Sequence, residues 1–328
     1  MKLGIVGNGR IVQEVLQILT EHGYEIPALW CRNEEHGRPV VDTYHISSFY
    51  TDYDLFLKDT SFDTVYIGTV NSSHFELAKK ALEAHKHVIV EKPFTSTYRE
   101  AKELFDIAFE NQVYLFEAVM SRYSRNYDML LPHLDAIGDL KMIRADFSQY
   151  SSRYDEYCNK EVLPAFDLKC SGGALMDLNV YNVHFVTGIF GAPKFSYYMA
   201  NKGYNGIDTS GVLIMDYGDF KAVCTAAKDS SAPCGTVLQG TEGYIFIHSR
   251  PGEVQNIILH DYRTGLEKKL DVQEEIPLLQ EFERIGEVID TKQDAVVMNW
   301  LNRSMQTMLV LENARQDAGI TFPADDAE

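Results

Sequence analysis

The first 120 residues alternate between short β-branched runs and helical periods, and this alternation restricts the fold more than any other feature of the chain. "KLGIV" (2–6) reads as a strand, and Val12, Val15, Leu16 and Leu19 follow at helical spacing. "IPALWC" (26–31), "DTVYIGT" (63–69), "HVIVE" (87–91) and "VYLFEA" (113–118) repeat the strand signal. "FELAKKALEAH" (75–85) and residues 97–111 supply helices between the later strands. Strands joined through helices form right-handed crossovers, and the parallel sheet they build is covered on both faces.

The second half changes character. "KMIRADFSQY" (141–150), "FSYYMANKG" (195–203), "SGVLIMDYG" (210–218), "KAVCTAAK" (221–228) and "GYIFIH" (243–248) are partly alternating runs punctuated by tight turns. They predict a large, mostly antiparallel sheet. One helix follows Gly172-Gly173, and two more close the chain at about 276–290 and 297–315. The expected architecture is α/β: a doubly wound parallel sheet over 1–120, then an α+β domain over 121–328 with an open-faced sheet. The closing helices are free to pack back on the first domain.

A chain of 328 residues suits two domains, and 48 acids against 30 bases leave a net charge of −18. That sign argues against nucleic acid and anionic membrane as partners. Cys31, Cys158, Cys170, Cys224 and Cys234 are odd in number with no C-x-x-C spacing, which reads as a reduced cytoplasmic protein without a structural metal. No apolar run approaches the length of a membrane span.

Four local patterns carry chemistry. The first is Gly7-Asn8-Gly9-Arg10-Ile11, where a strand runs into a helix. Glycines there let the backbone approach a pyrophosphate, and the helix N-terminus offers free N–H groups; a Rossmann dinucleotide site is built this way. Val12 stands where a third glycine is usual, and a glycine-rich turn of no further meaning has the same look. The second is the end of the next strand, Trp30-Cys31-Arg32-Asn33. It lacks the acid that accepts from a ribose hydroxyl, while Arg32 suits a 2′-phosphate. NADP(H) is therefore favoured over NAD(H), with a solvated surface arginine as the plain alternative.

The third pattern is Glu91-Lys92-Pro93-Phe94, at the carboxyl end of a buried strand, the edge where ligands bind in open α/β sheets. The fourth is "SGGALMDLNVYNVHF" (171–185), in which Asp177, Tyr181 and His184 recur at i, i+4 and i+7 and predict a polar stripe on one helical face. Such a stripe faces a ligand or is solvated or internally bonded, since burying it unpaired costs roughly 1–3 kcal/mol per group.

With these residues in order the chain resembles the Gfo/Idh/MocA family, named for glucose–fructose oxidoreductase, inositol dehydrogenase and rhizopine catabolism. The resemblance rests on the N-terminal G-x-G, on "TVNSSHFELAKKALEAHKHVIVEKP" (69–93), on Glu117 with Arg122 soon after, on "GGALMDLNVY" (172–181) and on "GTEGYIFI" (240–247). It covers essentially the whole chain. It implies hydride transfer between nicotinamide C4 and a hydroxyl or carbonyl carbon of a sugar, polyol or related small molecule.

Residue by residue, the resemblance implies that Thr69, Asn71 and His74 run along the nicotinamide half of the cofactor, with Glu91 and Lys92 beside it. It makes Lys92, Asp177 and Tyr181 the catalytic set, with Tyr181 as acid/base as in the glucose–fructose oxidoreductase and dihydrodiol dehydrogenase branches. Arg122 and His184 join them as pocket lining. It also implies a homodimer or homotetramer formed through the second sheet. Ser171, Asn179 and the missing proline after Arg122 depart from the usual pattern and bear on the substrate more than on the reaction. A second class of function, a nucleotide-binding sensor without turnover, shares this fold; Lys92, Asp177 and Tyr181 all being present favours the enzyme.

Overall fold

The computed structural model describes residues 1–271 and 276–326. It divides into two compact units, Met1–Ala118 with Leu278–Met305, and Val119–Pro277 with Gln306–Glu328. The four residues 272–275 and the last two of the chain, which the expected second domain includes, lie outside the described residues.

The first unit is built on six strands: β1 (Leu3–Val6), β2 (Ala28–Trp30), β3 (Ser48–Tyr50), β4 (Thr64–Ile67), β5 (His87–Glu91) and β6 (Leu115–Ala118). Their order is β3-β2-β1-β4-β5-β6, and every pair is parallel. This is the doubly wound order, in which chain direction across the sheet reverses between β1 and β4 and leaves a crevice at their carboxyl ends. The crossovers hold α1 (Arg10–Glu21), α2 (Glu34–Tyr44), α3 (Tyr53–Leu57), α4 (His74–Glu83) and α5 (Tyr98–Glu110).

Helix α1 forms where its apolar spacing demands it: Val12, Val15, Leu16 and Leu19 are all fully buried. Each such side chain contributes roughly 1.5–3 kcal/mol by leaving water. Helix α5 starts at a reciprocal capping box between Thr97 and Glu100, which satisfies two otherwise orphaned donors. The strand β3, which the sequence reading passed over, is a three-residue element on the edge of the sheet.

The second unit begins with α6 (Met120–Tyr123) and α7 (Arg125–Leu130), followed by the long strand β7 (Leu140–Ser148), then α8 (Tyr154–Cys158) and α9 (Val180–Phe190). Seven more strands follow: β8 (Phe195–Lys202), β9 (Asp208–Asp216), β10 (Lys221–Ala227), β11 (Gly235–Gly240), β12 (Gly243–Ile247), β13 (Ile257–Asp261) and β14 (Glu267–Lys269). The sheet order is β14-β13-β12-β11-β7-β10-β9-β8. All pairs are antiparallel except β7 with β10.

Alternation gives this sheet one buried face. Ile245, Leu238, Ile143, Ala222 and Met215 line up across it by register and are all fully buried. Small residues on β10, Ala222, Cys224 and Ala226, leave room for the helical segment that packs above them. The opposite face exposes Met142, Phe195, Tyr197, Met199 and Ile214.

The chain ends with α10 (Pro277–Thr291) and α11 (Asp294–Asp317). Helix α10 and the first half of α11 belong to the first unit, where Phe282 meets Tyr66 edge-on and Trp300 packs near Phe116. The last turns of α11 belong to the second unit, where the buried Arg315 forms a two-pronged ion pair with Asp325. Among the described residues no helix is long and apolar enough to cross a membrane, and no group of His, Cys, Asp or Glu is arranged to hold a metal ion.

Candidate active site

In the first unit, the carboxyl edge of the parallel sheet gathers the residues singled out from the sequence. Gly7 follows β1 with φ of +108°, and a Cβ there would stand 2.6 Å from the Gly68 carbonyl oxygen. Only glycine fits that conformation and that gap. Gly9 is the N-cap of α1 in an extended conformation, with no side chain capping the helix and no acid in its first turn. The result is a bare helix N-terminus beside a glycine turn, the arrangement that receives a pyrophosphate. Asn8 and Ile11 are half-buried at its rim, and Arg10 is exposed and paired with Glu14 at 2.8 Å.

Val12 occupies the place of the third glycine without cost to this geometry. A Cβ on Gly68 would lie 2.6 Å from Val12 Cγ2, so the glycine that permits close helix–strand approach sits on the far side of the contact, just after β4. The sequence reading missed Gly68, although a glycine ending an apolar strand is a recognisable sign of close backbone approach.

Arg32 lies just beyond β2, on the same edge, exposed, and among the described residues it makes no hydrogen bond or ion pair. Asn33 beside it caps α2 by accepting from Glu35 N at 2.8 Å and His36 N at 3.3 Å. The cap fixes the backbone from which Arg32 projects.

Thr69 and Asn71 are half-buried on the loop after β4, where Thr69 shares a 2.7 Å hydrogen bond with Ser73. His74 differs from the expectation of a cofactor contact. It is fully buried, its Nδ1 is 3.0 Å from the Pro93 carbonyl and its Nε2 is 3.2 Å from the Thr69 carbonyl. Burial holds its pKa below the ordinary histidine value, although both carbonyls pull the other way. His74 therefore sits between the 69–71 loop and the segment carrying Lys92, and as a neutral imidazole it donates its one N–H to one of the two carbonyls.

Glu91 ends β5, is buried, and accepts a 2.7 Å hydrogen bond from the Tyr66 hydroxyl. Burial raises its pKa to about 7, against the opposing pull of Lys92 and Tyr66. Lys92 is half-buried and precedes a cis peptide bond to Pro93. The next amide, Phe94 N–H, donates to the buried Glu117 at 3.0 Å. The backbone around Lys92 is thus held through His74 at the Pro93 carbonyl and Glu117 at the Phe94 amide.

The second unit brings Asp177 and Tyr181 together differently from a regular helix. Gly173 has φ of +108°, and a Cβ there would overlap a carboxylate oxygen of the buried Asp208. Residues Leu175–Asn179 then wind as a π-helical turn before α9 begins at Val180. Such turns are rare and concentrate at functional sites. Asp177, Leu178 and Tyr181 keep partial exposure, while the residues between and around them are buried.

His184 does not belong to that stripe. It is 4% exposed, and its Nδ1 lies 3.0 Å from Arg122 Nη2 and 3.2 Å from Thr307 Oγ1. A guanidinium only donates, so Nδ1 accepts and the imidazole proton resides on Nε2. Arg122 is 7% exposed, and this buried pair supports the segment beneath Tyr181 rather than extending its accessible face. The expected i, i+4, i+7 face is corrected on both counts: the turn at Asp177 is wider than α, and the third member points inward.

Tyr181 is wedged in place. Its ring lies 5.5 Å from the Phe147 ring, and a Cβ on Gly252 would come within 3.1 Å of its Cε1. Asp177 pairs with Lys228 at 2.8 Å, a lysine whose side chain is 2% exposed. The sequence reading did not single out Lys228; a lysine closing the small-residue strand "KAVCTAAK" is the sign it offered.

Comparison with known proteins identifies the family and the fold. Residues 1–119 match the oxidoreductase family with an NAD-binding Rossmann fold, and residues 134–246 match the GFO/IDH/MocA C-terminal domain. A scyllo-inositol 2-dehydrogenase (NADP(+)), IolU of Bacillus subtilis, is 31% identical over the whole of both chains. A trans-1,2-dihydrobenzene-1,2-diol dehydrogenase of Xenopus tropicalis is 27% identical over 98% of this chain and 99% of its own. The fold matches KijD10, a 3-ketoreductase from Actinomadura kijaniata crystallised with NADP and TDP-benzene, with a TM-score of 0.82 over 97% of each chain at 18% identity. With matches to both domain models and a relative 31% identical over its whole length, this chain is a member of the GFO/IDH/MocA family of NAD(P)-dependent oxidoreductases.

Proposed function

We propose that this protein is an NADP(H)-dependent dehydrogenase acting on a vicinal diol of a six-membered carbocycle. The observation that carries the reading is the π turn, which leaves Asp177 and Tyr181 accessible together while their neighbours are buried. A carboxylate that accepts from one hydroxyl beside a phenol that exchanges a proton with another is the chemistry a diol needs. Two relatives support the substrate class through their names: scyllo-inositol and trans-1,2-dihydrobenzene-1,2-diol both carry trans neighbouring hydroxyls on a six-membered ring.

The residues of the first unit fit the dinucleotide. The uncapped α1 terminus with Gly7 and Gly9 would hold the pyrophosphate, Arg32 the 2′-phosphate, and the 69–71 loop with Lys92 the nicotinamide end. When bound, the nicotinamide supplies or accepts the hydride. The protein's own part is charge and proton control. In the first unit Lys92 is the group suited to stabilise negative charge on a substrate oxygen, and in the second Tyr181 is the group suited to exchange a proton with a hydroxyl. Asp177 orients the neighbouring hydroxyl.

The test is direct. NADP+ is offered with scyllo-inositol, trans-1,2-dihydrobenzene-1,2-diol and a set of aldoses, and reduction is followed by absorbance. Turnover confined to aldoses, or absent from all, overturns the substrate class. In the same preparation NADPH binds at least tenfold tighter than NADH in a fluorescence titration, and Arg32→Ala removes that difference, because the guanidinium is the exposed cation at the end of β2. Equal affinities in the unaltered protein remove the NADP assignment.

The reading extends to assembly and location. The exposed sheet face with Phe195, Tyr197, Met199, Ile214 and Met142 is an apolar surface of the kind that marks an interface, and it would pair two copies in a cytoplasmic homodimer. Light scattering is expected to give twice the 37.3 kDa chain mass or more. A monomeric mass at micromolar concentration rules the pairing out.

A further inference from the structure

We infer that Lys228 is a positioning residue for the reaction: together with the strand β10 that it terminates, it fixes the direction of Asp177. The inference rests on the reading that Asp177 meets a substrate hydroxyl.

The ammonium of Lys228 is almost entirely removed from water, with its side chain 2% exposed. It reaches Asp177 Oδ2 at 2.8 Å and the Ala165 carbonyl at 2.7 Å, and it stands 4.4 Å from the Phe166 ring centroid. Burying an ammonium costs several kcal/mol unless it is well paired, and apolar replacement of a buried pair is often no less stable. Stability is therefore a weak reason for a lysine here, and orientation of its partner is the stronger one. Asp177 itself keeps 35% of its side chain exposed, so it is anchored on one side and accessible on another.

The lysine is itself held. Its N–H donates to Thr209 O and its carbonyl accepts from Ser151 N, both at 2.8 Å. The second carboxylate in its neighbourhood, Asp208, is already engaged by Leu175 N at 2.6 Å and by the Tyr198 hydroxyl at 2.8 Å. Burial pushes the Asp208 pKa up, while Asp177 is the carboxylate in direct contact with Lys228.

The same strand grips the π turn at one further point and the first turn of α9 at another. Asn179 Nδ2 donates to Cys224 O at 3.2 Å, and Asn182 Nδ2 donates to Thr225 O at 2.9 Å and to Asn179 Oδ1 at 2.8 Å. Residues 224, 225 and 228 thus hold residues 179, 182 and 177 in turn. A π turn exchanges the regular i→i+4 pattern for a wider one, and these side-chain bonds to β10 select the wider one. Asn179, which departs from the family's usual small residue, acquires a role in this arrangement.

Four variants test the inference: Lys228→Gln, Lys228→Arg, Asp177→Asn and the Lys228→Gln/Asp177→Asn pair. Kinetics use NADP+ with whichever of scyllo-inositol and trans-1,2-dihydrobenzene-1,2-diol the unaltered enzyme turns over faster. Lys228→Gln is expected to raise KM at least tenfold with a smaller change in kcat and NADPH affinity within twofold. Lys228→Arg recovers part of the loss. In the Asp177→Asn background, Lys228→Gln adds less than twofold, because it acts through the carboxylate. A KM within twofold of normal in Lys228→Gln, or losses that multiply in the pair, overturns the inference. An Asp177→Asn variant with normal KM and kcat instead overturns the underlying assignment of Asp177, which separates the two failures. A crystal structure of Lys228→Gln supplies a readout without turnover: the Asp177 carboxylate moves by more than about 1 Å, the displacement scale at which site geometry fails. An unmoved carboxylate overturns the inference. If Lys228→Gln does not fold, Lys228→Arg carries the same comparison, and normal kinetics with a shifted Asp177 in that variant overturn it equally.

Discussion

Lys92→Ala is expected to lose turnover by about 10²- to 10⁴-fold while keeping its affinity for NADPH within a few-fold. The reason is the division of labour around the lysine. Its backbone is held by the His74 contact to the Pro93 carbonyl and by the Glu117 contact to the Phe94 amide, so truncating the side chain leaves the segment in place. What goes is the ammonium just after β5, the charge proposed to meet the developing negative oxygen. Steady-state kcat and a fluorescence titration of NADPH on the same preparation separate the two effects. Turnover within threefold of normal would remove Lys92 from the chemistry, and a matching collapse of NADPH affinity would make it a binding residue only.

Gly7→Ala carries the second large effect, in the opposite pattern. The alanine must adopt φ of +108° and bring its Cβ to 2.6 Å from the Gly68 carbonyl oxygen. Such backbone strain costs on the order of 1–3 kcal/mol, and relief of the clash moves the turn that faces the phosphates. NADPH affinity is expected to fall at least about a hundredfold, the size of a loss of about 2.8 kcal/mol at about 1.4 kcal/mol per tenfold, with a lowered Tm. Gly9→Ala is the internal comparison. Its φ is −66° and a Cβ there would have no atom nearer than 3.9 Å, so the fold accepts it and Tm stays put. Gly7→Ala with normal NADPH affinity would show that this turn is not the phosphate cradle.

The two glycines also show how far local sequence reaches. A strand, a G-x-G and a helix period can be read in 17 residues because each follows from spacing alone. The place of Val12 could not be read there. Its room comes from Gly68, just after a strand more than fifty positions away, and the β1–β4 pairing brings the two together. His74 has the same lesson in reverse. The block from 69 to 93 marks it as part of the cofactor edge, yet burial and two carbonyl partners make it a brace within that edge.

The second unit was legible in outline. Long alternating runs such as 141–150 and 210–218 became β7 and β9 within a few residues. The shorter β11, β13 and β14 were passed over, because three to six residues with turns on both sides carry too little pattern to separate from loop. The single parallel pair, β7 with β10, is a consequence of topology and has no local signature.

By itself, the sequence determined the two-part architecture, the glycine turn before α1, the lysine at the end of β5, and the Asp177–Tyr181 segment after paired glycines. These follow from hydrophobic period, from residues with unusual backbone freedom, and from charged residues placed at strand ends. Tertiary structure decided which members of each motif are accessible. The polar stripe expected on an α-helix is a π turn at Leu175–Asn179, where Asn179 bonds to Cys224 O on β10 and Asp177 pairs with Lys228 just after that strand. His184 turned inward because Arg122 and Thr307 offered it buried partners. A side chain's rotation about a helix is set by the hydrogen bonds it finds across the fold, and those partners lie between about 40 and 120 positions away in the chain, beyond the reach of any local pattern.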